Sequence, residues 1–409
     1  MKKMVINGLR RFKSLKEKFI RYNPFYILNC FTRRLFSESK LPEQEVIIIR
    51  LDLIGDCAMF SGALRQIKKK YKDYKISIIC LKSNRCIFER VGGINKIYTY
   101  NLSPTNLSYK EISRLLKEIG TKKFSVLLQP QTSRPKAADV LSYWVTSNYK
   151  VAIECKFDNS TEEWKKKAER FYSKIIPIPF GWRNEFEYYL AFLHGLDIQA
   201  EINQIQPFLY FSVQNEVKCK YFIISPGASF LQRAWEPKKY ALVSDYIYKQ
   251  TGWIPVIIGT GNEANLAEEI TQESCPSSRF NIQNKVGKTS VSEMIDLIAN
   301  AEIVLCNDSS SAHIASSVGK TSIAITGGGH LNRFLPYPET FDCTPLVISE
   351  TIGCEFCSWN PAIIRKNKIC FQRGFLQGKN FLCICKISEK RVIQLLEEKL
   401  PLILNSYEN

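Results

Sequence analysis

The chain has 409 residues, of which 45% are hydrophobic and 12% aromatic, and its formal net charge at pH 7 is +18. This composition excludes an intrinsically disordered chain and is typical of a globular protein long enough for two domains. No apolar run reaches the roughly 18 to 20 residues that a membrane-spanning helix needs, so the sequence predicts no such helix.

Residues 1–40 form a basic leader with eleven Lys and Arg residues against two Glu. Apolar residues such as Val5, Leu9 and Phe12 recur in it at helical spacing. Two interpretations fit: a basic amphipathic helix on an anionic membrane surface, or a helix packed on the domain with its charged face in water. A signal peptide does not fit because basic residues occur throughout, and no recognised motif indicates nucleic acid binding.

After the leader, short apolar segments alternate with segments of helical periodicity. The first set predicts strands at 46–50, 76–80, 97–99, 124–128 and 151–153, and helices near 57–70, 109–119 and 184–195. A polar interval at about 197–217 separates it from a second set. The second set predicts strands at 221–225, 254–258, 302–306 and 321–325, and helices near 237–250, 262–272, 291–300 and 311–318.

This alternation predicts an α/β protein with two Rossmann-like domains that face each other across a cleft. We expect an N-terminal domain at 41–205, a C-terminal domain at 206–387, and a final helix and tail at 388–409 that begins with Ser388 as its cap and ends or kinks at Pro401. Ligands of such sheets bind beyond the carboxyl ends of the strands, so the turns after the strands are the candidate sites.

The turn after the first strand, "RLDLIGD", contains Arg50, Asp52, Gly55 and Asp56. A dinucleotide-binding turn contains several glycines and no carboxylate near the phosphates. This turn has two carboxylates and one glycine, so its residues indicate a role other than phosphate binding. Either carboxylate could also simply cap the helix that follows.

Two turns of the second domain suit an anion. In "SPGASFLQR", the small residues Gly227 and Ser229 allow a ligand to approach the backbone, and Arg233 adds a positive charge. In "NDSSSAH", which runs through Asp308, Ser309 and Ser310 to His313, a helix N-terminus follows a strand and offers free amides to a phosphate; "GGGH" at 327–330 gives a second such turn.

A competing motif lies at Gly259, Gly261 and Ala264, which fit the G-x-G-x-x-A pattern of nicotinamide or flavin dinucleotide sites. The motif follows the second strand of its domain instead of the first, and residues 279–287 contain no acidic residue for a ribose. The pattern alone is a weak signal. Glu263 within it could instead bind the ribose hydroxyls of a nucleotide.

Five of the fourteen cysteines lie close together near the C-terminus. Their spacing, C-x2-C-x12-C-x12-C, is compatible with a structural zinc or iron site in a loop at 350–385. Reduced, partly buried thiols are the alternative. The five residues are Cys354, Cys357, Cys370, Cys383 and Cys385, with the first four as candidate ligands.

Taken in order, these turns resemble glycosyltransferase family 9, the lipopolysaccharide heptosyltransferases. The resemblance spans about 45–395 and rests on "IIIRLDLIGD", "ISPGASFLQRAWEP" and "NDSSSAHIASSVGK". It implies a GT-B fold, a nucleotide-diphosphate-sugar donor bound mainly by the C-terminal domain, and inversion at the anomeric carbon without a catalytic metal or other catalytic cofactor.

The resemblance also implies roles for single residues. Asp56 matches the family's catalytic base, with Asp52 as the runner-up, and Arg50 and Gly55 share the acceptor side with them. The residues implied on the donor side are Gly227, Ser229, Arg233, Glu263, Asp308, Ser309, Ser310 and His313. Arg233 stands where the family has a lysine and Ser309-Ser310 where it has Thr-Gly, which puts the donor's identity in question.

The sequence thus predicts an inverting glycosyltransferase that adds a sugar, possibly heptose, to a lipopolysaccharide-type or other cell-envelope glycan. We expect it in the cytoplasm, with the leader at the inner face of an anionic membrane where a lipid-linked acceptor is presented. The alternatives are an NAD- or FAD-dependent oxidoreductase that uses the 259–264 turn, and a non-catalytic protein that binds a nucleotide sugar.

Overall fold

In a computed structural model of the chain, two six-stranded parallel sheets form two domains. The structure describes residues 43–156, 160–213, 219–350 and 377–405, together with 352, 357, 364 and 368–371. The leader, Cys354 and residues 406–409 therefore lie outside the described residues. Within the described part, no helix has the length and the apolarity needed to cross a membrane.

The N-terminal sheet has the strand order β3-β2-β1-β4-β5-β6. Val46 to Ile49 of its central strand are fully buried, as expected for a parallel strand with helices on both faces. The strands are β1 (Glu43–Arg50), β2 (Lys75–Leu81), β3 (Lys96–Tyr100), β4 (Phe124–Gln129), β5 (Ser147–Ile153) and β6 (Lys174–Ile176). The helices are α1 (Ile54–Lys70), α2 (Arg85–Val91), α3 (Tyr109–Ile119), α4 (Lys136–Trp144), α5 (Glu162–Glu169) and α6 (Glu185–Gly195).

The C-terminal sheet repeats this design with the order β12-β11-β10-β7-β8-β9. Its strands are β7 (Tyr221–Ser225), β8 (Ile254–Ile257), β9 (Gln283–Asn284), β10 (Val304–Asn307), β11 (Ser322–Thr326) and β12 (Leu346–Ser349). Its helices are α7 (Pro237–Thr251), α8 (Ala264–Glu273), α9 (Pro276–Arg279), α10 (Val291–Ala299), α11 (Ser310–Ser317), α12 (Lys368–Phe371), α13 (Leu382–Cys385) and α14 (Glu389–Asn405).

The connection between the domains contacts both of them. A 3₁₀ helix at Ile202–Ile205 packs on α1, where a Cβ on Gly62 would lie 2.0 Å from the carbonyl oxygen of Ile205. Further along, the amide of Phe208 donates to Ser61 Oγ of α1, and the amide of Leu209 donates to the carbonyl of Ser317 at the end of α11. The linker therefore holds α1 and α11, one from each domain, in fixed register.

An arginine reinforces this connection between the domains. Arg90, in the last turn of α2, makes a bidentate ion pair with Asp296 of α10 at 2.7 and 2.6 Å. The same guanidinium donates to the carbonyl of Tyr210 in the linker. Two parallel bonds of this kind give geometric specificity as well as energy.

The predicted α/β class, with two Rossmann-like domains of GT-B type, is confirmed. Helix α1 begins at Ile54, three residues earlier than predicted, so Asp56 lies inside its first turn and Leu53 is the N-cap. Ser388 Oγ does cap α14, accepting from the amide of Arg391 at 3.4 Å. Pro401 does not end that helix, which continues to Asn405.

Candidate functional site

Helices α1 and α11 approach each other closely across the domain boundary. A Cβ on Gly55 would lie 2.7 Å from Cδ2 of His313 and 3.3 Å from Cα of Ser310. Glycine is therefore required at this position by close packing. The contact places the acceptor-side turn after β1 directly against the start of α11, so the predicted acceptor and donor elements form one site.

Arg50 is the structural centre of the acceptor side. Its guanidinium is fully buried, pairs with Asp52 at 2.6 Å and donates to the Tyr189 hydroxyl at 2.7 Å. It also donates to the carbonyl of Asp56 at 3.3 Å and stacks on Phe60. Burial works against the charged form of Arg50, but Asp52 raises the pKa of the guanidinium and keeps it charged.

The two carboxylates of the turn have different environments. Asp52 forms an ion pair with Arg50 and also accepts a hydrogen bond from Gln131 Nε2 at 2.5 Å. The side chain of Asp56 remains partly exposed at the cleft. Burial raises the pKa of Asp56 to about 7; Asp52 and Glu185 add to the rise, while Arg50 and Arg333 oppose it. The structure therefore fixes Asp52 in an ion pair, whereas the pKa of Asp56 lies near neutrality.

His313 contributes packing to the site. Its Nδ1 lies 2.8 Å from the Tyr337 hydroxyl, and the two rings are stacked. Burial lowers the pKa of His313 to about 4, so the imidazole is neutral at pH 7. Tyr337 lies in the loop after β11 and packs edge-on against Phe186 of α6, with ring centroids 4.6 Å apart.

On the donor side, Arg233 joins two turns. Its Nη1 donates to Ser229 Oγ at 3.0 Å, and its Nη2 lies 3.4 Å from Asp308 and 3.4 Å from His330 Nδ1. Burial raises the pKa of Asp308, and Arg233 and Arg333 counter that rise. Burial, together with Arg233 and Arg333, lowers the pKa of His330 to about 2 and keeps it neutral. Arg233 thus carries its positive charge beside the start of α11.

The N-terminus of α11 has unused hydrogen-bonding capacity. Ser309 is its N-cap residue but makes no side-chain cap hydrogen bond, and Ser309 Oγ is buried without a hydrogen-bond partner in the described part of the protein. Ser310 begins the helix. Free amides, a helix dipole and an unpaired hydroxyl are the groups that bind phosphate oxygens.

The carboxylate of Glu263 occupies the 259–264 turn. Its carboxylate accepts from Thr260, and a Cβ on Gly227 or Gly259 would lie 2.7 Å from one of its oxygens. The carboxylate therefore sits between the turns after β7 and β8. A negative charge at this position would repel the pyrophosphate of a dinucleotide, whereas it could accept hydrogen bonds from ribose hydroxyls.

The cysteine-rich end of the chain supports the donor turn, which the sequence did not indicate. The amide of Phe381 donates to the carbonyl of Gln232 at 2.9 Å, and the indole of Trp235 donates to the carbonyl of Ile387 at 3.0 Å. Trp235 is fully buried. Residues 229–235 therefore pack against segment 380–387 and are hydrogen-bonded to it.

Three of the four candidate metal ligands are described. Cys357, Cys370 and Cys383 are buried in the same apolar cluster, and Cys357 and Cys383 lie close enough to Arg233 to affect its pKa. Cys354 lies outside the described residues. Among those described, no three His, Cys, Asp or Glu side chains form a group that could hold a metal ion.

The sequence missed two charged residues of the site, Glu185 and Arg333. Glu185 begins α6 and is 5% exposed, and Arg333 Nε lies 3.7 Å from its Oε2. Arg333 follows the "GGGH" turn by three residues. That turn was recognised as a candidate site, but its cation lies just beyond the glycines, and only the fold brings Glu185 beside it.

The chain is similar in sequence to known proteins. Residues 167–351 match glycosyltransferase family 9 (heptosyltransferase). The chain is 24% identical over 336 residues to the lipopolysaccharide core heptosyltransferase OpsX of Haemophilus influenzae, covering 79% of this chain and 89% of that protein.

Two solved structures share the fold. A family 9 glycosyl transferase from Veillonella parvula superposes with a TM-score of 0.68 at 14% identity, over 90% of this chain and 100% of that one. The ADP-heptose lps heptosyltransferase II of E. coli gives a TM-score of 0.64 at 14% identity, over 89% of this chain and 100% of that one.

Because Asp52 and Asp56 differ in environment, replacing each with asparagine should change the free energy of unfolding in opposite directions. Asp52→Asn breaks the buried pair with Arg50 and should lower the free energy of unfolding by about 3–5 kcal/mol. Asp56→Asn should raise it at pH 8, because burial disfavours the ionised form of Asp56 in the folded state. Denaturant unfolding of the two variants at pH 8 measures both changes, and a loss of stability in both would contradict the assignment.

Proposed function

Since the chain is a glycosyltransferase of the family 9 type, we propose that it transfers a heptose, with inversion, from a nucleoside-diphosphate-heptose to a lipopolysaccharide-type acceptor. The observation that carries the proposal is the position of Asp56, next to the N-terminus of α11 across the domain boundary. The relative from Haemophilus influenzae carries the name of a core heptosyltransferase, which supports heptose as the sugar. The E. coli structure is named for ADP-heptose, which supports ADP as the carrier.

In the proposed reaction Asp56 is the general base. The acceptor hydroxyl gives its proton to the carboxylate as its oxygen attacks the anomeric carbon from the face opposite the leaving group. One glycosidic bond forms while the bond from sugar to phosphate breaks, so the configuration inverts. A pKa near 7 suits this role, because an appreciable fraction of Asp56 is ionised at neutral pH and remains basic enough to accept the proton.

The nucleoside diphosphate leaves with the electron pair of the broken bond and gains negative charge. We assign its stabilisation to Arg233 and the amides of α11, with Ser229, Ser309 and Ser310 as further donors. Fixed dipoles and a cation aimed at a developing charge supply the largest catalytic effect in many enzymes, and here they would act without a divalent cation. Glu263 would accept from the ribose hydroxyls.

The glycosyltransferase assignment replaces both alternatives predicted from the sequence. The oxidoreductase interpretation relied on Gly259, Gly261 and Ala264, and the carboxylate of Glu263 lies where the dinucleotide's phosphates would have to approach. The interpretation as a non-catalytic binder does not explain why Asp56 is kept partly exposed and close to neutrality.

The location of the protein follows from its acceptor and its leader. We propose that the enzyme works in the cytoplasm, held at the inner face of the membrane by residues 1–40, where a lipid-linked acceptor is presented. Eleven cationic side chains in the leader support this, because each adds attraction to anionic lipids. Co-sedimentation of the full chain with anionic and neutral vesicles tests it.

The role of Asp56 has a direct test. Asp56→Asn should keep the fold and donor binding and lower the rate of transfer at least ~10²-fold, because general base catalysis contributes on that order. In the wild type, kcat/KM should rise with pH as Asp56 ionises, reach half of its maximum near pH 7, and level off at higher pH. Transfer by the variant at the wild-type rate would reject Asp56 as the base.

The donor can be identified by a thermal-shift screen with ADP, GDP, UDP, CMP, NAD and FAD. A ligand that binds only the folded state raises stability by RT ln(1 + [L]/Kd), so ADP should raise the Tm more than the others. Arg233→Met should remove most of that shift, while the exposed control Lys249→Met should retain it. A rise in Tm with NAD or FAD alone would instead support an oxidoreductase that binds its dinucleotide at the 259–264 turn.

The four cysteines give a further prediction. We propose that Cys354, Cys357, Cys370 and Cys383 hold one structural zinc or iron ion, which would secure the segment behind the donor turn. Elemental analysis of purified protein should find about one ion per chain. Cys383→Ser should lose it and the exposed Cys219→Ser should not. Metal-free wild-type protein of full stability would show that the thiols are only buried side chains.

A further inference from the structure

A tight turn between β6 and α6 presents an aromatic side chain to solvent. The amide of Trp182 donates to the carbonyl of Pro179 at 3.3 Å, and Gly181, the third residue of the turn, has a φ of +88°. A type II turn requires this backbone conformation, which glycine adopts readily. Phe180, at the second position, is fully exposed, more so than any other large apolar side chain that the structure describes.

Hydrogen bonds from neighbouring segments fix this turn. Lys156 Nζ donates to the carbonyl of Trp182 at 2.9 Å, and the hydroxyl of Tyr188 on α6 donates to the same carbonyl at 3.3 Å. Just before the turn, the amide of Ile178 donates to Glu154 Oε2 at 2.9 Å. Ile178 and Trp182 also pack against the hydrophobic core. The exposed aromatic ring is therefore carried by a segment that is itself well anchored in the fold.

The turn lies at the rim of the cleft. It follows the carboxyl end of β6, on the edge of the N-terminal sheet that also carries the turn with Asp56. Two residues after the turn the chain reaches the other domain, where Asn184 Nδ2 donates to the carbonyl of Pro336. The amide of Glu185 then donates to the carbonyl of Arg333. A surface that contacted this turn would therefore lie beside the opening of the candidate site.

The positive charge of the protein is concentrated in the same half of the chain. Residues 41–205 contain 26 Lys and Arg against 18 Asp and Glu, whereas residues 206–409 contain 20 against 19. Together with the leader, the N-terminal half therefore carries +17 of the net charge of +18. A difference of this size between two domains favours an orientation in which the N-terminal one faces an anionic surface, such as a bilayer with anionic lipids.

The charges next to the turn balance each other. Lys156 and Arg183 are exposed beside it, and Glu154 and Glu187 accept hydrogen bonds from backbone amides of the same segment. Attraction to an anionic surface therefore comes from the domain as a whole, while the turn contributes its apolar side chain. This division suits an interfacial contact, in which cations attract the headgroups and an aromatic ring enters the boundary with the acyl chains.

We propose that the turn at 177–182 is a membrane contact. Phe180 enters the interface of an anionic bilayer, the positively charged N-terminal domain faces the lipid headgroups, and the rim of the cleft is directed at the membrane. The leader would attach the protein, and the turn would set its orientation. This contact goes beyond the proposed function because it concerns the surface of the folded domain, and vesicle binding tests it without any transfer reaction.

The first experiment localises the contact on the full-length protein. Phe180→Trp and Phe280→Trp each place an indole at an exposed position, the second on the C-terminal domain, where Phe280 is 87% exposed. Vesicles of anionic phospholipid with brominated acyl chains quench an indole that enters the bilayer. Relative to the wild type, the added fluorescence of Phe180→Trp should be quenched and that of Phe280→Trp should not. Equal quenching at the two positions, or none at either, would reject the contact.

The second experiment measures affinity by co-sedimentation with the same anionic vesicles. Phe180→Ser should lower the partition coefficient of the full chain roughly ten-fold, because it removes an aromatic side chain from the interface. Phe280→Ser is the matched control and should bind as the wild type does. Both side chains are exposed, so neither substitution should change the Tm measured without vesicles. Wild-type affinity in Phe180→Ser would contradict the proposal.

Other occupants of the turn would give different results. If the turn joins two copies of the chain, Phe180→Ser changes the oligomeric mass in lipid-free solution, and the membrane contact is rejected. If the turn binds the sugars of the acceptor, that variant loses activity equally with acceptor in vesicles and with delipidated acceptor in solution, which also rejects it. A membrane contact lowers the rate only with vesicles. Failure of the wild type to transfer a sugar would contradict the proposed function, while the quenching result would still decide the contact.

Discussion

The site depends on how closely two helix N-termini approach each other across the domain boundary. Gly55 and His313 are in contact there, with room for no side chain between them. Because α1 carries the proposed base and α11 the amides proposed to bind the leaving group, this contact would bring both sides of the displacement within reach of one sugar. The same two helices are held further along by the linker, through Ser61 and Ser317. The packing of α1 on α11 therefore sets the distance between the two sides of the candidate site.

Charge balance decides which carboxylate can act. Within the described part of the chain, Asp52, Asp56, Glu185 and Asp308 face three arginines. Each arginine has one carboxylate as its ion-pair partner: Arg50 pairs with Asp52, Arg233 with Asp308, and Arg333 with Glu185. Asp56 is the carboxylate left over. Burial without a dedicated counter-ion is what raises its pKa toward neutrality. The pairing of its neighbours therefore distinguishes the proposed base as much as its own position does.

The sequence predicted the features that follow from local pattern. The predicted strands and helices all occur within a few residues of their predicted bounds, but β6, β9, β12 and helices α2, α4 and α5 were not predicted. The turn containing Asp56 lies at the carboxyl end of a parallel strand, where ligands of such sheets bind. It could not show why Gly55 must be glycine, since the reason is a histidine of the other domain. Glu185 and Arg333 were missed because each is an ordinary surface residue type in its own segment. The spacing of the cysteines left a metal site and reduced thiols as alternatives, and it gave no sign of the segment's backbone contacts with Gln232 and Trp235, which depend on tertiary packing.

Among the described residues, two arginines bridge the domains, and they are held differently. Arg90 makes hydrogen bonds of 2.7 and 2.6 Å to Asp296 and a third to the linker carbonyl of Tyr210. Arg333 lies 3.7 Å from Glu185, and the amide of Glu185 donates to the carbonyl of Arg333. Because a bidentate pair gives geometric specificity, Arg90 fixes the linker end of the domain boundary, whereas the site end depends on backbone contacts and on close packing such as that of Gly55 on His313.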